Sequence, residues 1–230
     1  MRTTYASLLV ISLFLSCGSP SWAAGADSRK VIVVLGSSTA AGTGASVPDS
    51  SWVARFRRAA KERDSTVQVV NLAVGGYTTF HVMPTGYRPR RGRPKPDPAH
   101  NITRGLKFRP GCIIFNLPSN DAAGGFRVSE SLANYDSVLA RIPRGIRVWV
   151  TTTQPRDLDS LGRARLTALR DSTYARFGEH ALDFWSGLAN PDGSLKTEFD
   201  AGDGIHLNDK GHRILAERAA RVISACLSRP

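Results

Sequence analysis

The chain has 230 residues, 41% hydrophobic and 22% charged, enough for one domain with a full buried core. That balance is ordinary for a globular protein and excludes a disordered or fibrous chain. The formal net charge of +12 favours acidic partners, but zinc-ligand spacings, aromatic RNA-binding boxes and basic zippers are all missing. Nucleic acid is therefore not an expected partner.

Residues 1–26 read as an export signal and not as part of the fold. Arg2 supplies the positive start, residues 6–15 form an apolar run, and Ala23, Ala24 and Ala26 offer cleavage sites. The run is shorter than the about 20 residues a spanning helix needs. A secreted or periplasmic product is expected, with residues 27–230 as a single domain. The alternative is lipid attachment at Cys17, although Phe14-Leu15-Ser16 is a poor approach to a lipidated cysteine. Cys112 and Cys226 remain after export, and either a disulfide or two buried thiols fits their positions.

The first predicted strand is the β-branched run 31–35, apolar throughout, as in a parallel sheet covered on both faces. A helix capped by Asp49 or Ser50 follows, with Trp52, Phe56 and Ala59 or Ala60 inward. Residues 67–72 form the second strand. After it, residues 83–98 hold five prolines among Arg88, Arg90, Arg91, Arg93 and Lys95, a density no regular element tolerates. The third strand is 112–117. The next helix is capped by Ser129 and carries Leu132, Tyr135, Val138, Leu139 and Ile142 on its apolar face. Residues 146–152 give a fourth strand and 181–184 a weaker fifth, with a helix at about 160–177 between them that turns Leu166 and Leu169 inward. The last helix starts near Asn208 and buries Ile214, Leu215, Ala219, Val222 and Ile223. Strands alternating with helices imply an α/β/α sandwich around a parallel sheet.

Four short motifs each fall just past a strand end. Gly36-Ser37-Ser38 is a tight turn that presents a serine hydroxyl to the carboxyl edge. Gly75-Gly76 lets backbone N–H groups approach a substrate oxygen. Pro118-Ser119-Asn120-Asp121 offers an amide donor for a developing oxyanion. Asp203-Gly204-Ile205-His206 sets a carboxylate three residues before an imidazole at a helix start. A serine hydroxyl is a weak nucleophile at neutral pH. It needs a histidine to take its proton and a carboxylate to hold the ring and stabilise its cation. Taken singly, each motif is also a plain polar turn; their shared order at strand ends carries the argument.

In that order the four motifs resemble those of the SGNH hydrolases, or GDSL-type esterases and lipases, over nearly the whole chain after the export segment. The resemblance implies a flavodoxin-like three-layer sandwich with a central sheet of about five parallel strands. It implies Ser38 as nucleophile, with Asp203 and His206 completing a triad. The oxyanion hole would consist of the Ser38 N–H, Gly76 and the Asn120 amide. Two departures stand out: Ser37 replaces the family's aspartate, leaving it as an alternative nucleophile, and Pro118 replaces a glycine before Asn120.

The expected activity is hydrolysis of carboxylic esters, with short acyl groups on a small molecule or carbohydrate as substrate, without metal or other cofactor. Gln154 and Arg156 follow the fourth strand and are expected to contact substrate. The basic stretch 88–95 is a candidate contact for an anionic group or surface. Alternatives are a lysophospholipase or thioesterase on the same site, and a non-catalytic carbohydrate-binding module on a decayed hydrolase fold.

Overall fold

A computed structural model describes residues 30–117 and 119–228. Residues 1–26, where an export signal is expected, together with Cys17 and Pro118, lie outside the described residues.

Five parallel strands form one sheet: β1 (Val31–Gly36), β2 (Gln68–Asn71), β3 (Cys112–Asn116), β4 (Arg147–Thr151) and β5 (Ala181–Leu182), in the order β2-β1-β3-β4-β5. β1 lies between β2 and β3, with Ile32 opposite both Val69 and Cys112. Its alternate side chains enter different cores. Ile32 and Val34 face one layer with Trp52 and Phe56 of α2 (Trp52–Arg63) and Leu215 and Ala219 of α7 (Asp209–Ala220). Val33 and Leu35 face the other, with Ile102 of α3 (Ile102–Leu106) and Tyr135 and Val138 of α5 (Val128–Leu139). A strand buried on both faces has no use for polar alternation, so the run is apolar throughout. α6 (Ser160–Phe177) packs beside these through Leu166 and Leu169 against Ala122 and Trp185.

Several local expectations are corrected. The cap of α2 is Ser51, whose Oγ accepts from the Ala54 N–H, because Pro48 first opens a 3-10 turn over Pro48–Ser50. α5 begins one residue before Ser129, so Ser129 lies in its first turn and Arg127 at its cap position makes no side-chain cap bond. The buried stripe of α5 includes polar Ser131 and Asn134 ahead of Leu132, because both bond into the network around Asp121 described below. The fifth strand stops at Leu182. Beyond it the Phe184 N–H donates to the Thr152 hydroxyl at 2.9 Å, while Asp183 turns the chain by accepting from the Trp185 and Ser186 N–H groups. Three short helices were unanticipated: α1 (Ser38–Ala41), α3 and α4 (Ser119–Ala123). The last helix breaks after Ala220 and resumes as α8 (Ile223–Leu227).

Cys112 opens β3 and Cys226 lies in α8; the two form a disulfide with Cα atoms 5.2 Å apart and a sequence separation of 114. The bond pins the C-terminal helix to the amino edge of the sheet. The carboxyl edge, where β1 ends at Gly36 and β3 at Asn116, is left to the loops that carry the four motifs.

Candidate active site

The turn after β1 places Ser38 as the first residue of α1. Ser37 precedes it as the cap residue, 2% exposed and without a side-chain cap bond. The sequence points to Ser38 with Ser37 as the alternative; the structure brings Ser38 to the histidine. Ser38 Oγ lies 2.9 Å from His206 Nε2, and His206 Nδ1 lies 2.6 Å from Asp203 Oδ2. The other carboxylate oxygen of Asp203 accepts from the backbone N–H groups of Ile205 and His206 at 2.9 and 2.8 Å. Burial alone would push the Asp203 pKa up. Those two amides and the His206 ring N–H outweigh it and hold the group at about 2, so it is ionised at neutral pH. An ionised Asp203 requires the proton on Nδ1, leaving the Nε2 lone pair towards the serine.

The loop after α1 presses on the histidine from below. Gly44 has φ +93°, and a Cβ there would lie 2.3 Å from the Leu207 carbonyl and 2.9 Å from the His206 Cβ. Any side chain would displace the imidazole, so glycine at this position keeps the His206 loop against α1. On the far side, the Asp157 N–H donates to the Gly204 carbonyl at 2.6 Å, tying the Asp203–His206 turn to the loop after β4.

Gly76 also has a left-handed backbone, φ +80°, and nothing lies within 4 Å of where a Cβ would stand. No side chain intrudes there. A Cβ on neighbouring Gly75 would sit 3.9 Å from the Ser38 Cβ, so this glycine pair backs onto the serine. Asn120, the second residue of α4, donates through Nδ2 to the Tyr77 carbonyl at 2.9 Å. An asparagine amide has two N–H groups, so one remains for a substrate oxygen.

Gln154 and Arg156 both turn inward. Gln154 Nε2 donates to Thr39 Oγ1 at 2.8 Å and to Ser119 Oγ at 3.1 Å, bridging the neighbours of Ser38 and Asn120. Arg156 is 8% exposed, and its Nη1 donates to Asn120 Oδ1 at 3.0 Å. Burial lowers the Arg156 pKa from its ordinary value, and the Asp203 carboxylate opposes that shift.

A model of the GDSL-like lipase/acylhydrolase family matches residues 34–214. The chain belongs to that family. Membership makes it an ester-bond hydrolase. No significant match was found among curated proteins. Among solved structures, a G-D-S-L family protein from Desulfitobacterium hafniense DCB-2 superposes with a TM-score of 0.62 at 16% identity, covering 84% of this chain and 99% of that one. The psychrotrophic esterase EstA from a Pseudoalteromonas species gives 0.59 at 17% identity, covering 86% and 98%. A carbohydrate acetylesterase family member from Sinorhizobium meliloti gives 0.56 at 17%, again covering 86% and 98%. At such identities the likeness is one of fold.

Sequence reading missed the support behind the Asn120 loop of this acylhydrolase. Asp121 is fully buried and accepts from the Thr79 N–H at 3.0 Å, from the Thr79 hydroxyl, and from Ser131 Oγ at 3.0 Å. Burial pushes its pKa up to about 6 against those donors. Asn134 completes the network by donating to Thr79 Oγ1 at 2.8 Å. The loop after β2 is folded by a second cluster, in which the Tyr77 hydroxyl donates to Asp97 and its ring stacks on His81 with centroids 4.4 Å apart. The sequence signal for the first cluster is Ser131 and Asn134 beside the expected apolar face of α5, and the second, in a loop, has none. The pattern in α5 fits a solvated helix equally well.

Proposed function

We propose that the chain is an exported serine esterase that removes short acyl groups, by way of an acyl-enzyme on Ser38. The observation that carries this is the continuous hydrogen-bond chain Ser38 Oγ to His206 Nε2 to Nδ1 to Asp203, with links of 2.9 and 2.6 Å. Both are within the reach a general base needs. In the first step Ser38 Oγ bonds to the ester carbon while its proton passes to His206 Nε2. The carbonyl oxygen becomes an oxyanion held by the Ser38 N–H, the Gly76 N–H and the free N–H of Asn120. The tetrahedral centre then collapses, the C–O bond to the alcohol breaks, and His206 returns the proton to the leaving oxygen. Water repeats the sequence on the acyl-enzyme, releasing the acid and restoring Ser38.

Asp203 remains a carboxylate throughout and stabilises the imidazolium that forms twice per turnover. A short acyl group on a carbohydrate is favoured by the likeness to the S. meliloti acetylesterase family member and to a two-domain esterase active on acetylated mannans. Export is supported by the leader pattern of residues 1–26 and by the Cys112–Cys226 disulfide, which suits an oxidising compartment.

The test is hydrolysis of p-nitrophenyl acetate by the purified chain beside Ser38→Ala and His206→Ala. Turnover by the wild type and loss of at least about 10³-fold in both variants is expected. Equal turnover in Ser38→Ala would remove the nucleophile assignment.

A further inference from the structure

The arginine-rich loop after β2 has no part in the chemistry at Ser38, yet it is built against α5. Arg93 fastens it: Nε and Nη2 donate to the two carboxylate oxygens of Glu130 at 2.7 Å each, and the guanidinium lies 4.1 Å over the Phe126 ring. Between loop and helix is a cavity of ≈ 520 Å³ lined in part by Tyr87, Arg90, Arg91, Arg93, Arg127 and Glu130. Arg93 and Glu130 satisfy one another. The guanidiniums of Arg90, Arg91 and Arg127 line the cavity without a hydrogen bond or ion pair among the described residues, although Arg90 helps to keep the Glu130 carboxyl acidic. Three guanidiniums lining one cavity make it strongly basic and suited to an anion that carries more than one charge. Tyr87, which lines the same cavity, is 36% exposed, a high value for a large aromatic.

The geometry points to a second binding site, for a carboxylated carbohydrate chain. Its carboxylates meet the planar forks of Arg90, Arg91 and Arg127, which match carboxylates bidentately, as Arg93 already does with Glu130. The apolar face of a sugar ring lies on Tyr87. Phosphate would suit the same arginines but has no ring to place there, so the aromatic favours a uronate. Asn134 also lines the cavity and bonds through Thr79 to Asp121, the neighbour of Asn120. The site is therefore linked to the Asn120 loop through two hydrogen bonds, and a polymeric ester could reach from one to the other. That use as an anchor rests on the esterase reading; the binding itself does not.

The experiment is calorimetric titration of the Ser38→Ala chain with trigalacturonate, with mannotriose as neutral match and tripolyphosphate as non-sugar anion, at about 0.1 M salt. Trigalacturonate binds and mannotriose does not. Replacing Arg90, Arg91 and Arg127 together by Gln weakens trigalacturonate at least about tenfold. Removing the same charge elsewhere, by Lys61→Gln, Arg63→Gln and Lys107→Gln, changes it less than about threefold. Tyr87→Ser weakens trigalacturonate and leaves tripolyphosphate alone.

Absence of trigalacturonate binding overturns the site. So does equal weakening by both triple variants, which would mean attraction to bulk charge only. Tripolyphosphate binding more tightly than trigalacturonate would reassign the cavity to phosphates. Circular dichroism, and p-nitrophenyl acetate turnover with Ser38 intact, report that each variant is folded. A wild type inert on that ester would refute the esterase reading and leave the binding result standing.

Discussion

Arg156→Met separates a guanidinium that positions the oxyanion donor from one that holds substrate. In the wild type, Arg156 Nη1 donates to Asn120 Oδ1 at 3.0 Å, so the amide oxygen is held towards the arginine while Nδ2 donates to the Tyr77 carbonyl in the loop after β2. Methionine keeps the length and apolar stem but releases the amide to rotate. A hydrogen bond to a charged group is worth about 1.5–3 kcal/mol. If all of that serves to orient the donor in the transition state, kcat falls by about 10- to 150-fold. Loss of the donor itself in Asn120→Ala sets a ceiling of about 10²- to 10³-fold. Because Arg156 acts through Asn120, the double variant is expected to be no slower than Asn120→Ala alone.

Stability should not follow activity. The Arg156 Nε is buried with no partner among the described residues, so removing the guanidinium ends a desolvation cost that offsets the lost bond to Asn120. Arg156→Lys keeps the charge but not the planar fork and should recover part of kcat. The assay is steady-state hydrolysis of p-nitrophenyl acetate for the four-member cycle, with thermal melts alongside. Unchanged kcat on this neutral ester in Arg156→Met, together with a raised KM for anionic esters, would refute the positioning argument and make Arg156 a substrate contact. A melting point that falls in step with kcat would make its role merely structural.

Asp203→Asn should leave the fold intact and lower kcat by on the order of 10³- to 10⁴-fold, because the amide no longer holds the Nδ1–H tautomer or stabilises the imidazolium; kcat within tenfold of wild type would argue against that role. Replacing both cysteines of the Cys112–Cys226 bond by alanine releases a 114-residue loop. The expected cost is about 2–5 kcal/mol, or a melting point lower by on the order of 10 °C in scanning calorimetry. Activity at 25 °C should persist, because the bond lies at the sheet edge opposite Ser38.

His212 is fully buried, accepting at Nδ1 from the Trp52 N–H at 3.2 Å and donating from Nε2 to the Thr43 carbonyl at 3.0 Å. Burial lowers its pKa below the ordinary 6.5. The unfolded chain therefore takes up a proton first as pH falls, and stability present above 6.5 is lost down to the folded-state pKa. In His212→Gln, urea midpoints should show a flatter decline below pH 6.5 than in the wild type; an identical slope would assign the decline to other groups.

Short-range pattern alone specified the β-branched run of β1, the proline-broken stretch after β2, and the four motifs at strand ends. Each depends on neighbours a few residues apart, and burial on both faces leaves its mark on every residue of a strand. Helix caps were less legible: the caps of α2 and α5 lie one or two positions from those expected, the first because Pro48 opens a 3-10 turn ahead of α2. The polar face of α5 misled for another reason: Ser131 and Asn134 are inward only because Asp121 and Thr79 arrive from distant elements.

The same limit governed the site. Which of Ser37 and Ser38 meets His206 depends on a contact across 168 residues and on a single turn of backbone. Whether Cys112 and Cys226 bond depends on where α8 crosses the sheet. The roles of Tyr77, Arg156 and the free arginines beside α5 follow from what the packed loops leave them to touch. Residue type and order named the chemistry available to the chain. Only tertiary packing decided which groups come within 3 Å of each other, because hydrogen-bond partners are selected by distance and direction in space, to which sequence separation is blind.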